Sequence, residues 1–318
     1  MPATGVRRAL LCVVAALLAV PAPPATARQE QDVTWAVVPA GAGGPDGRRV
    51  VDLELSGGQA VTEHVAVTNH SARPVAFTLD ANDGYLTDKG VFDMRAADTA
   101  PVDGGSWVEV PGGVTVPGGA STDVPVTVTV PDHATPGDHP AGVTASLDTV
   151  SGQVRVRNRV GVRFNIRVTG ELTAHLALSD VQASYEQSWN PFAPGGLGLR
   201  YAVTNDGNTR AAADTRVTNS TPLADTEWTD PGTARSREVL PGGARRFDSR
   251  TDAWPFGRIT TTITVTPGRL DGVPAVPTTT PVTATVTTWA LPVPQVALLV
   301  LALLLLLATR TALRARRR

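Results

Sequence analysis

Cysteine occurs once in this chain, at Cys12, inside an apolar run near the N-terminus. Everything after that run therefore lacks disulfides, thiolate metal sites and cysteine nucleophiles. Lysine also occurs once, at Lys89, so nearly all positive charge is arginine. Aromatic residues make up only 5 % of the chain. The 5 histidines form neither H-x-x-x-H nor H-E-x-x-H. Gly-x-Ser-x-Gly and a glycine-rich phosphate loop ending in Lys-Ser or Lys-Thr are missing too. No residue pattern supports an enzyme or a cofactor site. Residues 33–288 carry no helical periodicity either, which removes helix bundles and alternating α/β folds.

The two ends are informative. Arg7 and Arg8 precede the apolar run Ala9–Val20, and Ala25 and Ala27 follow in an A-x-A arrangement. This is the order of a secretory signal peptide, here residues 1–27. Cys12 sits mid-run and not behind a lipobox, so lipid attachment is not expected. At the other end, Trp289–Thr309 has no charged residue and is long enough to span a bilayer. The basic tail 310–318, with Arg310, Arg314, Arg316, Arg317 and Arg318, predicts a cytoplasmic C-terminus. Leu291–Gln295, "LPVPQ", stands where a sortase signal would, but Pro294 and Gln295 replace the Thr and Gly between which the enzyme cuts. Residues 28–288 carry a net charge of −8, with 21 of the 28 basic residues against all 29 acidic ones. That balance argues against nucleic-acid binding.

Between the ends, short β-branched runs recur, bounded by Gly, Pro, Asn and Asp. This pattern predicts an all-β fold of the sandwich type. In "VPVTVTV", Val124, Val126, Val128 and Val130 share one face, and Pro125 marks an edge strand or its start. "AVTN" occurs at Ala66–Asn69 and again at Ala202–Asn205. Each copy follows a Gly-Gly turn and precedes a Pro-Gly-Gly-Ala turn, at Pro117 and at Pro241. Three matches in one order predict two tandem immunoglobulin-like sandwiches, 28–170 and 171–288, with Asn69 and Asn205 ending strands in equivalent turns. Asn69-His70-Ser71 and Asn219-Ser220-Thr221 also match the glycosylation sequon, a reading set below the turn.

Candidate ligand-binding residues come from one strand and one loop. "VRVRNRVGVRFNIRV", Val154–Val168, alternates strictly, and "VSGQ", Val150–Gln153, predicts a hairpin to the strand before it. At about 3.3 Å per residue the alternating run extends roughly 50 Å, and Gly161 predicts a bulge or bend within it. Arg155, Arg157, Arg159, Arg163 and Arg167 share its polar face. Such a row could grip phosphate or carboxylate groups; equally, it could be a solvated face that discourages sheet aggregation. Trp189, in "SYEQSWNPF", is the aromatic best placed to meet a sugar ring; Trp107 alternates like a core residue. "DHATPGDH" brings Asp132, His133, Asp138 and His139 together as a weak metal candidate, read first as a turn. "DANDG", Asp80–Gly84, fails the calcium-loop spacing.

"WVEVPGGVTVPGGASTDVPVTVTVPDHATPGDHPAGV", the strand ending "NIRVTG", "NPFAPGGLGLRYAVTNDGNTR" and "WPFGRITTTITV" together resemble the WxL-interacting cell-surface proteins, in the first case their peptidoglycan-binding-domain segment. The resemblance covers most of residues 33–288 and both terminal segments, and rests on strand-and-turn pattern. It implies tandem immunoglobulin-like domains outside a Gram-positive membrane, the first associated with peptidoglycan. The expectation is a membrane-anchored, cell-wall-associated binding protein contacting peptidoglycan, an anionic wall polymer or another surface protein. The alternative is a structural spacer without glycan affinity.

Overall fold

Strict alternation of apolar and polar residues leaves strands as the only element that buries one face, and the chain folds accordingly. The computed structural model describes residues 33–151, 154–223, 225–229, 237–270 and 280–317. The signal peptide expected over residues 1–27 lies outside them. So do Gly152 and Gln153, the centre of the expected hairpin turn.

Eleven strands precede residue 170: β1 (Trp35–Gly41), β2 (Gly44–Pro45), β3 (Val51–Leu55), β4 (Ala60–Asn69), β5 (Val75–Leu86), β6 (Phe92–Met94), β7 (Val108–Glu109), β8 (Gly113–Val116), β9 (Ser121–Thr129), β10 (Gly137–Ser151) and β11 (Val154–Val168). One sheet has the order β2-β1-β4-β9-β7, the other β3-β11-β10-β5-β6 with β8 also on β5. They face each other through Trp35, whose ring lies 5.4 Å from that of Phe77 and whose Nε1 donates to the Ala145 carbonyl at 3.2 Å. Val65, Val67, Val126, Phe164 and Ile166 are fully buried between them. Eight strands follow: β12 (Leu176–Glu186), β13 (Gly195–Asn205), β14 (Ala211–Ser220), β15 (Asp225–Thr229), β16 (Glu238–Val239), β17 (Ala244–Ala253), β18 (Gly257–Gly268) and β19 (Val282–Ala290). They form the sheets β12-β13-β17 and β15-β14-β18-β19, with β16 on β14. Leu197, Leu199, Val203, Ile259 and Ile263 share their core. Among the described residues, no backbone ladder joins the first pair of sheets to the second. A helix, Val293–Arg316, ends the chain; it is long and apolar enough to cross a membrane, and none of its apolar span is buried.

Pro125 lies on β9, whose outer edge is covered by β7 only at Thr127 and Val128, so the proline sits on an open edge. The long strand runs over Val154–Val168 and pairs with β10 along its whole length without a register break. Gly161 therefore makes no bulge. It faces Thr144, and a Cβ there would come within 2.6 Å of the Val143 carbonyl oxygen.

The repeated asparagine has the same role twice. Asn69 is fully buried; its Nδ2 donates to the carbonyls of Arg73 (2.8 Å) and Val116 (3.1 Å), and its Oδ1 accepts the Ser71 N–H at 3.0 Å. Asn205, also fully buried, donates to Thr209 (2.8 Å) and Val239 (3.1 Å) and accepts from Gly207 N–H at 3.0 Å. Each side chain thus closes its own turn and pins a second one. The bonds align Val116 with Val239, and hence Gly119 (φ 68) with Gly242 (φ 64). The two Pro-Gly-Gly-Ala strings are therefore one residue out of step: the shared feature is a left-handed glycine two residues before the strand resumes, not the string itself. Neither sequon asparagine is accessible. Asn69 is spent on its turns, and Asn219, 3 % exposed, accepts the Thr261 hydroxyl at 2.8 Å.

Candidate functional site

The polar face of β11 divides into two stretches with different surroundings. Its C-terminal half is covered by the second pair of sheets. Arg167 meets Asp138 of β10 through two bonds of 2.8 Å, with 7 % and 3 % of the two side chains exposed. Asp138 Oδ2 also accepts the Thr209 hydroxyl at 2.7 Å and the Arg210 N–H at 2.8 Å. Arg163 reaches Glu238 of β16 through bonds of 2.8 and 2.6 Å. Asn165 and Arg210 both donate to Asp52, at 2.8 and 3.0 Å. Asn208 completes the junction by donating to the carbonyls of Pro136 and Glu171, at 2.9 and 2.8 Å. Three arginines thus face three carboxylates; the Arg163–Glu238 and Arg167–Asp138 pairs are enclosed, while Asp52 lies half-exposed at the rim. Such pairs hold geometry, because breaking one strands a buried charge. Burial alone would raise the Asp138 carboxyl; the Arg167 guanidinium, the Thr209 hydroxyl and the Arg210 N–H outweigh it and hold the group below its ordinary range.

The N-terminal half of β11 is open. Its inner edge pairs with β10 throughout, while β3 covers its outer edge only over Phe164–Val168, in parallel. Residues 154–163 have no partner on that edge among the described residues. Beside it lies a groove of about 730 Å³ with Thr144 and Gly161 in its floor and Phe92, Met94, Arg157 and Arg159 in its walls. The Arg163 guanidinium lies 4.5 Å above the Phe92 ring, at the groove's end. Arg157 is held by Asp148 at 2.7 and 3.0 Å, and Arg159 donates to the Arg95 carbonyl at 3.1 Å.

A second cleft, of about 540 Å³, opens where the Thr135–Pro140 segment meets Val239–Ala244. Within it His139 presents Nδ1 to Asp103 Oδ1 at 2.6 Å and Nε2 to the Thr135 carbonyl at 2.9 Å. Both neighbours are acceptors, so the imidazolium, which donates from both nitrogens, satisfies both. Burial would lower its pKa; Asp103, the Thr135 carbonyl and the charge of Asp138 together raise it. Trp107 covers the ring at 4.5 Å rather than sitting in the core.

The five strand arginines and Trp189 do not make one site. Arg157 and Arg159 flank the groove, Arg163 and Arg167 are in the junction, and the side chain of Arg155 lies outside the described residues. Trp189 is 80 % exposed at the far end of the second pair of sheets. Of the weak metal candidates, Asp138 is committed to Arg167 and His139 to Asp103, while Asp132 and His133 are exposed. In "DANDG", Asp83 accepts the N–H groups of Val102 (2.7 Å) and Gly105 (2.8 Å), and Asn82 donates to Ala96 and Thr99. These residues anchor a loop. Sequence reasoning misses Glu238, Asp52, Asp103 and Phe92; no local pattern marks them, because each acts on a partner far along the chain.

No family model matches the chain, and no curated protein does. Solved structures it resembles include a class 5 fimbriae chaperone, CfaA, at 13 % identity and TM-score 0.39, covering 79 % of this chain and 98 % of that one. The Salmonella enterica SafB chaperone, in complex with SafA pilin, gives 11 % and 0.33, covering 80 % and 96 %. The Pseudomonas aeruginosa CupB2 chaperone gives 13 % and 0.31, covering 77 % and 99 %. These are chaperones and not wall-binding proteins. The expected peptidoglycan or anionic-polymer ligand, the cell-wall role and the ligand-free spacer have no counterpart among them and are withdrawn. The side chains supply a physical reason: the arginines meant to grip a polymer are held by Asp148, the Arg95 carbonyl, Glu238 and Asp138.

Proposed function

We propose that the chain is a non-catalytic, membrane-anchored module that holds an extended segment of a partner polypeptide. Two immunoglobulin-like sandwich domains, 28–170 and 171–288, are clamped by the buried ion pairs. The helix crosses a membrane, with the sandwiches outside and the arginine tail in the cytoplasm, in keeping with the basic residues that follow the apolar span.

The observation that carries this reading is the open edge of β11 over residues 154–163. An unpaired strand edge offers a row of N–H and C=O groups to any extended chain, and natural proteins otherwise cover it. Strand addition supplies affinity through main-chain bonds and selectivity through alternate side chains. Here Val156 is 41 % exposed on the edge strand, and the groove offers the Phe92 ring to the incoming side chains. The complex of SafB with SafA pilin is an example of a chaperone bound to a protein subunit; the reading for this chain rests on the edge.

The test uses the full chain in detergent micelles and fluorescent peptides of alternating Val and Thr. Binding should slow amide exchange over Val156–Val162. Arg159→Pro, which removes an N–H on the open-edge side of the strand, should weaken binding about tenfold. Binding that leaves exchange at this edge unchanged, or no binding to any alternating peptide, refutes the proposal.

A further inference from the structure

The second pair of sheets has two ends. Asn205, Asn208, Thr209 and Glu238 mark the one that meets the first pair. Strand register defines the other: Glu186 lies opposite Gly196, Gly195 opposite Ala253, Gly257 opposite Ala290, and Ser220 opposite Thr260. The loops after Glu186, Ser220 and Ala253, and the end of β19, therefore come together. The helix starts there too. Only Leu291 and Pro292 separate β19 from it, and Gln295 Nε2 donates to the Pro191 carbonyl at 3.1 Å.

The exposed apolar side chains are distributed unevenly. Among the described residues, every large hydrophobic exposed on this pair of sheets lies at the helix end. Trp189 is 80 % exposed, Phe192 78 %, Leu223 71 % and Trp289 66 %, with Trp254 and Phe256 stacked on each other at 6.1 Å. Scattered exposed apolar residues are ordinary; six gathered on four segments around one helix are an interaction surface. Their type is informative. Tryptophan has an apolar body and a polar N–H, the combination enriched at the boundary between headgroups and acyl chains. Arg258, opposite Trp289 in register, can reach lipid phosphate. Asp225 and Asp252 are exposed at the same end, which sets the contact at headgroup level and no deeper.

We infer that this end is a collar that seats the sandwich on the lipid surface, with Trp189, Phe192, Leu223, Trp254, Phe256 and Trp289 entering the headgroup layer around the helix. The occupant is the bilayer itself, because the collar is continuous with an apolar helix whose span is wholly unburied. The inference rests on the proposed membrane anchoring and adds an orientation: the sheets stand on the membrane and do not swing on a tether. The open edge of β11, beyond the junction, is thereby held away from the lipid.

The test places the full chain in nanodiscs of phosphatidylcholine brominated near the headgroup and reads tryptophan emission. The chain has 6 tryptophans, and three lie in the collar, so emission should fall by about half against unbrominated discs. Trp189→Phe and Trp254→Phe keep an apolar ring but remove the reporter, and each should shrink the quenched part by about a third. A chain that co-elutes with the discs but whose quenched part is unchanged in both variants overturns the collar and leaves the anchor standing; a protein or a second copy covering the rings gives this result. A chain that does not co-elute with the discs overturns the anchor and the collar together.

Discussion

Replacing Asn205 by alanine removes a side chain that makes three hydrogen bonds from a fully buried position. The carbonyls of Thr209 and Val239 lose a donor and the Gly207 N–H loses its acceptor. A buried polar group left without a partner costs about 1–3 kcal/mol. Three such groups, with some relaxation of the turn, give a loss of about 3–5 kcal/mol. Domain stabilities are about 5–15 kcal/mol, so the change is large but leaves a measurable folded state. Urea unfolding of the full chain in detergent, followed by tryptophan emission, would read it. Asn205→Asp is the sharper variant: it keeps the shape and the acceptor but turns a carboxylate toward two carbonyls, and should be at least as destabilising as alanine. Asn69→Ala should cost a similar amount through the Arg73 and Val116 carbonyls, and the two losses should add, because the sites share no partner. A loss under about 1 kcal/mol for Asn205→Ala, or an Asp variant as stable as the parent, would refute the claim that this amide pins both turns.

Gly242→Ala should cost about 1–2 kcal/mol by unfolding, since a Cβ meets nothing within 4 Å and only the left-handed backbone, φ 64, opposes it; Gly119→Ala should match it. Arg167→Ala strands Asp138 in the junction and should cost about 3–5 kcal/mol, with faster proteolysis between residues 168 and 176. Asp138 has a depressed pKa, so its contribution is present above the ordinary carboxylate range and is lost as pH falls through its lower folded value. Asp138→Asn should flatten the acid limb of stability against pH. The raised pKa of His139 works in the opposite direction. Its contribution is complete below the ordinary value of 6.5 and is lost as pH rises through the raised folded value. His139→Asn should remove that loss; an alkaline limb unchanged in the variant would show that the Asp103 bond does not matter.

The strands are readable because each records its own burial. Val154–Val168 alternates throughout, with Asn158 as the one polar residue on its apolar side, and the strand found has those bounds. Asn69 and Asn205 are legible as strand ends because asparagine closes a turn over two residues, which is local. The apolar helix is a matter of length and composition alone. The glycine string misleads by one position, since composition repeats letters whereas the turn needs one left-handed residue at one place. Gly161 misleads for a similar reason: glycine signals either a kink or a close approach, and only the opposite strand says which.

The residues that set the behaviour of the molecule depend on partners far away in the chain. Arg157 and Arg163 look alike in the sequence, yet one remains half-exposed beside Asp148 while the other is buried against Glu238, 75 residues on. Trp189 stands in the sequence far from the other tryptophans; register places it with Trp254 and Trp289 beside the helix. The elements themselves are written locally in the chain, because period and turn chemistry act over a few residues. Which polar faces are covered, which edge remains open and which aromatics gather at one end are settled only in three dimensions. Each of these follows from the register and docking of strands that the chain brings together over long distances.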